Sequence, residues 1–107
     1  MDLSALQQAM GQFNALDPGS VFAHHIDLFV SIGQAGPAGT TYRDLEERHG
    51  LSNAAVSRSV NAMSDFARHR KVTLGLVEIF RDVDEGRRYR VRLTQRGQQL
   101  YRNLEQL

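Results

Sequence analysis

This 107-residue chain has no cysteine, so disulfides, thiolate metal centres and a cysteine nucleophile are excluded. No apolar run approaches the ~18 residues that a membrane span needs. The first ten residues, MDLSALQQAM, lack the basic start and apolar centre of a signal peptide, so a soluble, cytoplasmic protein with no membrane partner is expected. No serine–histidine–aspartate order stands out, the histidines lack metal-ligand spacing, and Gly36-Pro37-Ala38-Gly39 lacks the lysine of a phosphate loop. No catalytic residue, metal ligand or cofactor is therefore expected, and the chain is not read as an enzyme.

Lysine is nearly absent as well: twelve of the 13 basic residues are arginine, the side chain suited to bidentate phosphate and guanine contacts. Residues 1–40 contain none of them and carry Asp2, Asp17 and Asp27, a net of −3. The remainder sets all 13 basic residues against nine of the 12 acids, a net of +4. Within residues 86–96 stand Arg87, Arg88, Arg90, Arg92 and Arg96 with no acid among them. A chain of this length forms one domain and buries roughly two-thirds of its unfolded surface, enough for a single core.

Residues 3–16 place Leu3, Leu6, Met10, Phe13 and Leu16 on one stripe, which predicts an amphipathic helical arm that packs on the core or on a second copy. Asp17-Pro18-Gly19 breaks the chain. Ser20 then caps a predicted helix ending at Gly33, whose Val21, Phe22, Ile26, Phe29, Val30 and Ile32 mark it as a central core helix. His24 and His25 are adjacent, about 100° apart on a helix, and are expected to point away from each other as solvated or core-edge residues.

Residues 41–66, TYRDLEERHGLSNAAVSRSVNAMSDF, are the most organised stretch. They predict two short helices joined at Gly50-Leu51-Ser52. Thr41-x-x-Asp44 approximates a capping box, Leu45 and Tyr42 face inward, and Gly50 stops the first helix. Ser52 caps the second helix, predicted over 53–66, which buries Val56, Val60, Met63 and either Phe66 or Ala67. Its other face carries Asn53, Ala54, Ser57, Arg58, Asn61 and Ala62, small or hydrogen-bonding groups rather than the Glu and Lys of a solvated helix. That is the layout of a helix-turn-helix with its second helix in the major groove.

Residues 76–81 and 89–93 predict a β-hairpin around a turn at 82–88 containing Gly86. In the second strand Tyr89, Val91 and Leu93 alternate with Arg88, Arg90 and Arg92, giving one apolar face and one row of guanidiniums. Such a hairpin after a helix-turn-helix is a wing, and its arginines suit the minor groove. Alternatively Glu78, Asp82 and Asp84 neutralise them within the fold. Thr94 caps a last helix over 95–107 carrying Leu100, Leu104 and Leu107, with Tyr101 beside them. The fold class is thus mainly α with a small β-hairpin: an N-terminal helical arm (1–16), a helix-turn-helix (41–66), a wing (76–93) and a C-terminal helix (95–107).

The ordered set Leu45, Gly50-Leu51-Ser52, Val56-Ser57-Arg58, Val60, Gly75-Leu76-Val77 and Leu93-Thr94-x-x-Gly97 resembles the MarR-like winged helix-turn-helix regulators over about residues 20–100. By position, the resemblance implies major-groove contacts from Asn53, Ser57, Arg58 and Asn61, and a wing-tip arginine, Arg87 or Arg88, in the minor groove. It implies homodimers joined by terminal helices, two-fold-symmetric operators, and often release by small aromatic ligands. Three departures stand out. Glu46 occupies the usual place of alanine, the stretch 68–74 is longer than the usual link to the wing, and the sequence stops at Leu107, short of the long dimer helices and of the effector pocket they help to form.

The leading expectation is a homodimeric regulator of double-stranded DNA, dimerised through residues 3–16 and 95–107, with no small-molecule effector counted on. Asn53, Ser57, Arg58 and Asn61 are expected in the major groove, and Arg87, Arg88 and Arg90 at the wing and minor groove. Thr41, Ser52 and Arg68 are expected at the DNA backbone. The modest net charge of +1 and the short C-terminus also fit an alternative, a winged-helix protein-interaction module in a larger replication or phage/host-control assembly.

Overall fold

A computed structural model of the chain describes residues 2–16, 21–64, 74–82 and 88–107. In order these form α1 (Leu3–Asn14), α2 (Ala23–Ala35), β1 (Thr40–Thr41), α3 (Tyr42–His49), α4 (Asn53–Met63), β2 (Val77–Arg81), β3 (Tyr89–Leu93) and α5 (Gln95–Glu105). The class is mainly α with a small antiparallel sheet, as expected. The sheet has three strands rather than two, in the order β1-β3-β2. The added strand is Thr40-Thr41, which pairs with Val91 and Arg90. Two residues leave no alternation to detect, so only their β-branching hinted at it.

Asp2 caps α1, its carboxylate accepting from the Ser4 and Ala5 amides at 2.9 and 3.4 Å. The predicted stripe is buried only at its C-terminal end. Phe13 meets the Phe29 ring edge-on at 5.5 Å, whereas Leu3 is 68% exposed and Leu6 37%. α2 is the central helix, with Leu28, Phe29 and Ile32 all fully buried. Its start differs from the expectation. The expected cap, Ser20, lies outside the described residues; Phe22 occupies the cap position and is exposed rather than in the core. The Phe22 amide donates to Nδ1 of His25 at 3.1 Å, so a histidine at the third helical position does what Glu does in a capping box. α2 also runs past Gly33 to Ala35 and stops at Gly36.

The helix-turn-helix follows its sequence signals closely. The Thr41 hydroxyl accepts from the Asp44 amide at 3.1 Å, and the Ser52 hydroxyl from the Ala55 amide at 3.1 Å. Gly50 adopts φ 64°, the left-handed conformation that lets the Leu51 amide turn back to the Glu46 carbonyl at 3.1 Å and close α3. Leu45, Val56, Val60 and Met63 are buried and Leu51 packs against them. α4 ends at Met63, however, and not at 66. Ser64 turns extended, its hydroxyl donates to the Asn61 carbonyl at 2.8 Å, and its backbone bridges to Val77. A serine that can bond the preceding turn competes with helix propagation, and here it wins. The alternatives Phe66 and Ala67, like most of the long 68–74 link, lie outside the described residues.

One junction ties α4, the wing and α5 together. The Leu76 amide donates to the Met63 carbonyl at 2.8 Å, and the Thr94 amide donates to the Leu76 carbonyl at 3.0 Å. The Thr94 hydroxyl donates to the Gly75 carbonyl at 2.6 Å while accepting from the Gly97 amide at 3.1 Å, so it caps α5 and pins it to the segment that leads into β2. The glycine of Leu93-Thr94-x-x-Gly97 has a steric reason: a Cβ there would lie 2.0 Å from the Leu76 carbonyl oxygen.

Gly97→Ala must therefore displace α5 from β2, with an expected cost of about 2 kcal/mol and a drop in melting temperature of roughly 10 °C. Gly11→Ala, where nothing lies within 4 Å of the added methyl, is expected to raise it by a few degrees. Thermal melts followed by circular dichroism check both; a Gly97→Ala protein melting with wild type would show that the junction is not tight.

Candidate nucleic-acid interface

α4 divides cleanly by face. Val56, Ser59, Val60, Ala62 and Met63 are buried, while Asn53, Arg58 and Asn61 are exposed and Ser57 is half-buried. The four expected major-groove residues therefore share the outward face, at steps of four, one and three, and α4 carries no acid along its whole length. Ser52 is exposed at the head of the helix, its hydroxyl accepting from the Ala55 amide. Thr41, also expected at the DNA backbone, is not. It is 5% exposed, its hydroxyl is occupied by the α3 cap, and its backbone pairs with Arg90, so it is an internal residue.

The guanidinium row of β3 resolves into residues with different partners. The strand register sets Glu78 opposite Arg92 and Phe80 opposite Arg90. Arg92 donates to the Glu78 carboxylate and lies 4.2 Å over the Phe80 ring. Arg90 donates to the carbonyls of Ala38 and Gly39, each at 3.1 Å, and to Asp82 at 3.3 Å. Its guanidinium thus holds the lead-in of β1 against the wing, and the expected minor-groove role is replaced by this internal one. Arg88 is exposed where the hairpin closes, its carbonyl accepting from the Asp82 amide at 2.9 Å. Arg87 and Arg68, the other two expected contacts, lie outside the described residues, as does Asp84. Val91 and Leu93 face the core as expected, but Tyr89 is 48% exposed, with Arg81 lying 5.3 Å over its ring.

Several contacts at this surface had no sequence signal. Asn53 donates its side-chain amide to Glu46 across the helix-turn-helix at 3.3 Å, which explains where the unusual carboxylate goes. Tyr42, Glu46, Asn53, Arg88 and Tyr89 line one groove between the head of α4 and the base of the wing. Behind α4, Arg58 shares a cavity with Phe22, His24 and His25 of α2. Contrary to the expectation for adjacent helical residues, the two histidine rings touch, with centroids 4.3 Å apart. Asp27, His49 and Ser31 form a hydrogen-bonded chain, 3.1 Å to Nδ1 and 2.8 Å to Nε2. Ser31 is buried within α2, so this chain ties α2 to α3. Among the described residues, no three histidine or carboxylate side chains gather as metal ligands, and no helix is long and apolar enough to cross a membrane.

No protein-family profile matches the chain, and no curated protein matches it in sequence. Solved structures do. The transcriptional regulator PcaV from Streptomyces coelicolor, solved with its natural ligand, is 26% identical, with a TM-score of 0.64 over 96% of this chain and 67% of that one. A mutant MarR from E. coli complexed with operator DNA is 23% identical, with a TM-score of 0.62 over 97% of this chain and 68% of that one. A further MarR structure superposes with a TM-score of 0.61 at 14% identity, over 99% of this chain and 71% of that one. The chain has the winged helix-turn-helix fold of the MarR-like regulators.

Arg90 and Arg58 are expected to behave oppositely. Arg90→Ala removes three bonds from a largely buried guanidinium and should lower stability by about 2 kcal/mol, whereas Arg58→Ala on the open face should leave the urea midpoint unchanged. The Tyr42 phenol offers a pH check. Burial, and secondarily the neighbouring Tyr89, hold its pKa above the usual 10.0. Because the folded value exceeds the unfolded one, this contribution to stability is complete below pH 10 and is lost as pH rises through the folded pKa. The urea midpoint should therefore fall above pH 10, and fall less in Tyr42→Phe; equal slopes would contradict the assignment.

Proposed function

We propose that this chain is a sequence-specific, double-stranded DNA-binding transcriptional regulator that acts as a homodimer. The outward face of α4 carries the proposal: a capped helix without a single acid, presenting Asn53, Ser57, Arg58 and Asn61 together. Asparagine and arginine have the donor and acceptor pairs that match base edges, and serine at the helix head suits phosphates. Small residues such as Ala54 between them let the helix backbone approach the groove floor. A mutant MarR of similar fold has been solved with operator DNA, which supports DNA as the partner. Arg88, with Arg87, is the wing's contribution to the minor groove or its flanking phosphates; Arg90 stands behind them as their support.

The dimer is proposed to form through the two terminal helices. α1 leaves Leu3 and Leu6 uncovered, and Leu107 after α5 is 42% exposed, so apolar area remains at both chain ends. A two-fold pair would set two copies of α4 about 34–36 Å apart, one turn of B-DNA.

If each protomer pair neutralises roughly six phosphates, log affinity should fall with log salt at a slope near −5. Arg58→Ala should weaken binding to a selected site by about 1–3 kcal/mol and relax its sequence preference. Selection of bound duplexes from a random pool, followed by salt-dependent binding of wild type and Arg58→Ala, tests both. A monomer that leaves every duplex unshifted at low salt would overturn the proposal in favour of a protein-interaction winged helix.

A further inference from the structure

Resting on that DNA-binding reading, we infer that Glu46 is a specificity-determining residue: it fixes the side-chain amide of Asn53 so that this position reads bases carrying an exocyclic amino group in the major groove. Asn53 is the first residue of α4, the end nearest the groove floor, and its side chain is exposed. Its Nδ2 lies 3.3 Å from Oε2 of the half-buried Glu46. A carboxylate can only accept, so the amide must turn its NH2 group toward α3. The carbonyl oxygen is then held on the far side of the amide, away from Glu46. An unrestrained asparagine rotates freely between donor-out and acceptor-out; this one is set acceptor-out.

The consequence follows from the base edges. Adenine and cytosine present N6 and N4 amino donors in the major groove, whereas guanine presents only acceptors and thymine an acceptor and a methyl group. An acceptor-out Asn53 matches the first two. Adenine gains a second contact, because the remaining hydrogen of Nδ2 is available to its N7. Guanine would need the amide reversed, which costs the Glu46 bond, and it would bring its own acceptors toward a carboxylate. Glu46 therefore selects by repulsion as well as by orientation. The groove shared by Glu46, Asn53, Tyr42 and Arg88 places the pair between α4 and the wing, where one flank of the site passes. The negative charge of Glu46 also lies on the surface offered to phosphates, so the selection comes with some loss of affinity for all sequences.

Binding-site selection on the wild-type protein, followed by Glu46→Ala, Asn53→Ala and the double variant, tests this. Wild type should prefer adenine or cytosine over guanine by about tenfold at one position in each half-site. Glu46→Ala should reduce that preference to within about threefold while binding random duplex more tightly. Asn53→Ala should abolish the preference, and adding Glu46→Ala to it should change the preference no further. Melting temperatures of the variants should stay with wild type, which separates a reading defect from a folding defect. If the wild type binds and selects other positions while Glu46→Ala leaves its base profile intact, or shifts it equally without Asn53, the inference is overturned. If the wild type binds no duplex, the DNA-binding reading itself fails.

Discussion

The structure depends most on the few peptide groups around Leu76. There the end of α4, the start of β2 and the start of α5 meet through backbone hydrogen bonds, with Leu76 donating to Met63 and accepting from Thr94. A hydrophobic core alone, being non-directional, would allow these elements to slide. Directional bonds at a buried junction do not, because leaving a buried peptide group unpaired costs more than the bond itself contributes. Thr94 adds a second constraint by bonding Gly75 and Gly97 with one hydroxyl. α4, the wing and α5 consequently hold one mutual geometry. Any surface built jointly by α4 and the wing inherits that rigidity.

What could be read in the sequence was local. Caps at Thr41, Ser52 and Thr94 announce themselves because the capping oxygen and its amide are three residues apart, as does the turn at Gly50. The buried stripe Val56, Val60, Met63 is likewise a short-range period. What escaped was either short or distant. β1 has two residues, and its reality lies in a pairing with β3 fifty residues away. Arg90 looked like one member of a charged row, yet its partners are carbonyls 51 and 52 positions earlier. Ser64 was hidden by a conflict of cues: the apolar period continues past it, while its hydroxyl and the bridge to Val77 stop the helix. Of the candidate site, the polar face of α4 was legible except at Ala62, which was expected on that face and is buried, and the wing only by composition, since which arginines are satisfied internally is a tertiary fact.

This division of the arginines bears on how a nearly neutral chain could carry the proposed nucleic-acid surface. Arg92 is consumed by Glu78 and the Phe80 ring, and Arg90 by Asp82 and two carbonyls. Two of the five arginines that make residues 86–96 a basic stretch are thus fasteners of the hairpin. Among the described residues of the α4 face, Arg58 is the exposed cation, while the β3 arginines Arg90 and Arg92 are engaged within the hairpin. DNA binding as proposed would then rely less on diffuse phosphate attraction and more on the polar face of α4, which raises the ratio of specific to nonspecific affinity.

The scaffold behind α3 completes this logic. α3 has only eight residues, too few to hold its own shape or direction in water, so its orientation must come from its neighbours. The Asp27–His49–Ser31 chain fixes its C-terminal end to α2, and Arg48 donates to Gln34 at 2.9 Å one residue earlier. Thr41 and β1 fix its N-terminal end to the sheet. Glu46 lies between these anchors, so the backbone from which its carboxylate reaches Asn53 is held in place. A partner whose backbone is fixed gives the one 3.3 Å hydrogen bond a defined direction. The proposed selectivity at the head of α4 would in this sense rest on α2 and β1, which hold α3 in place.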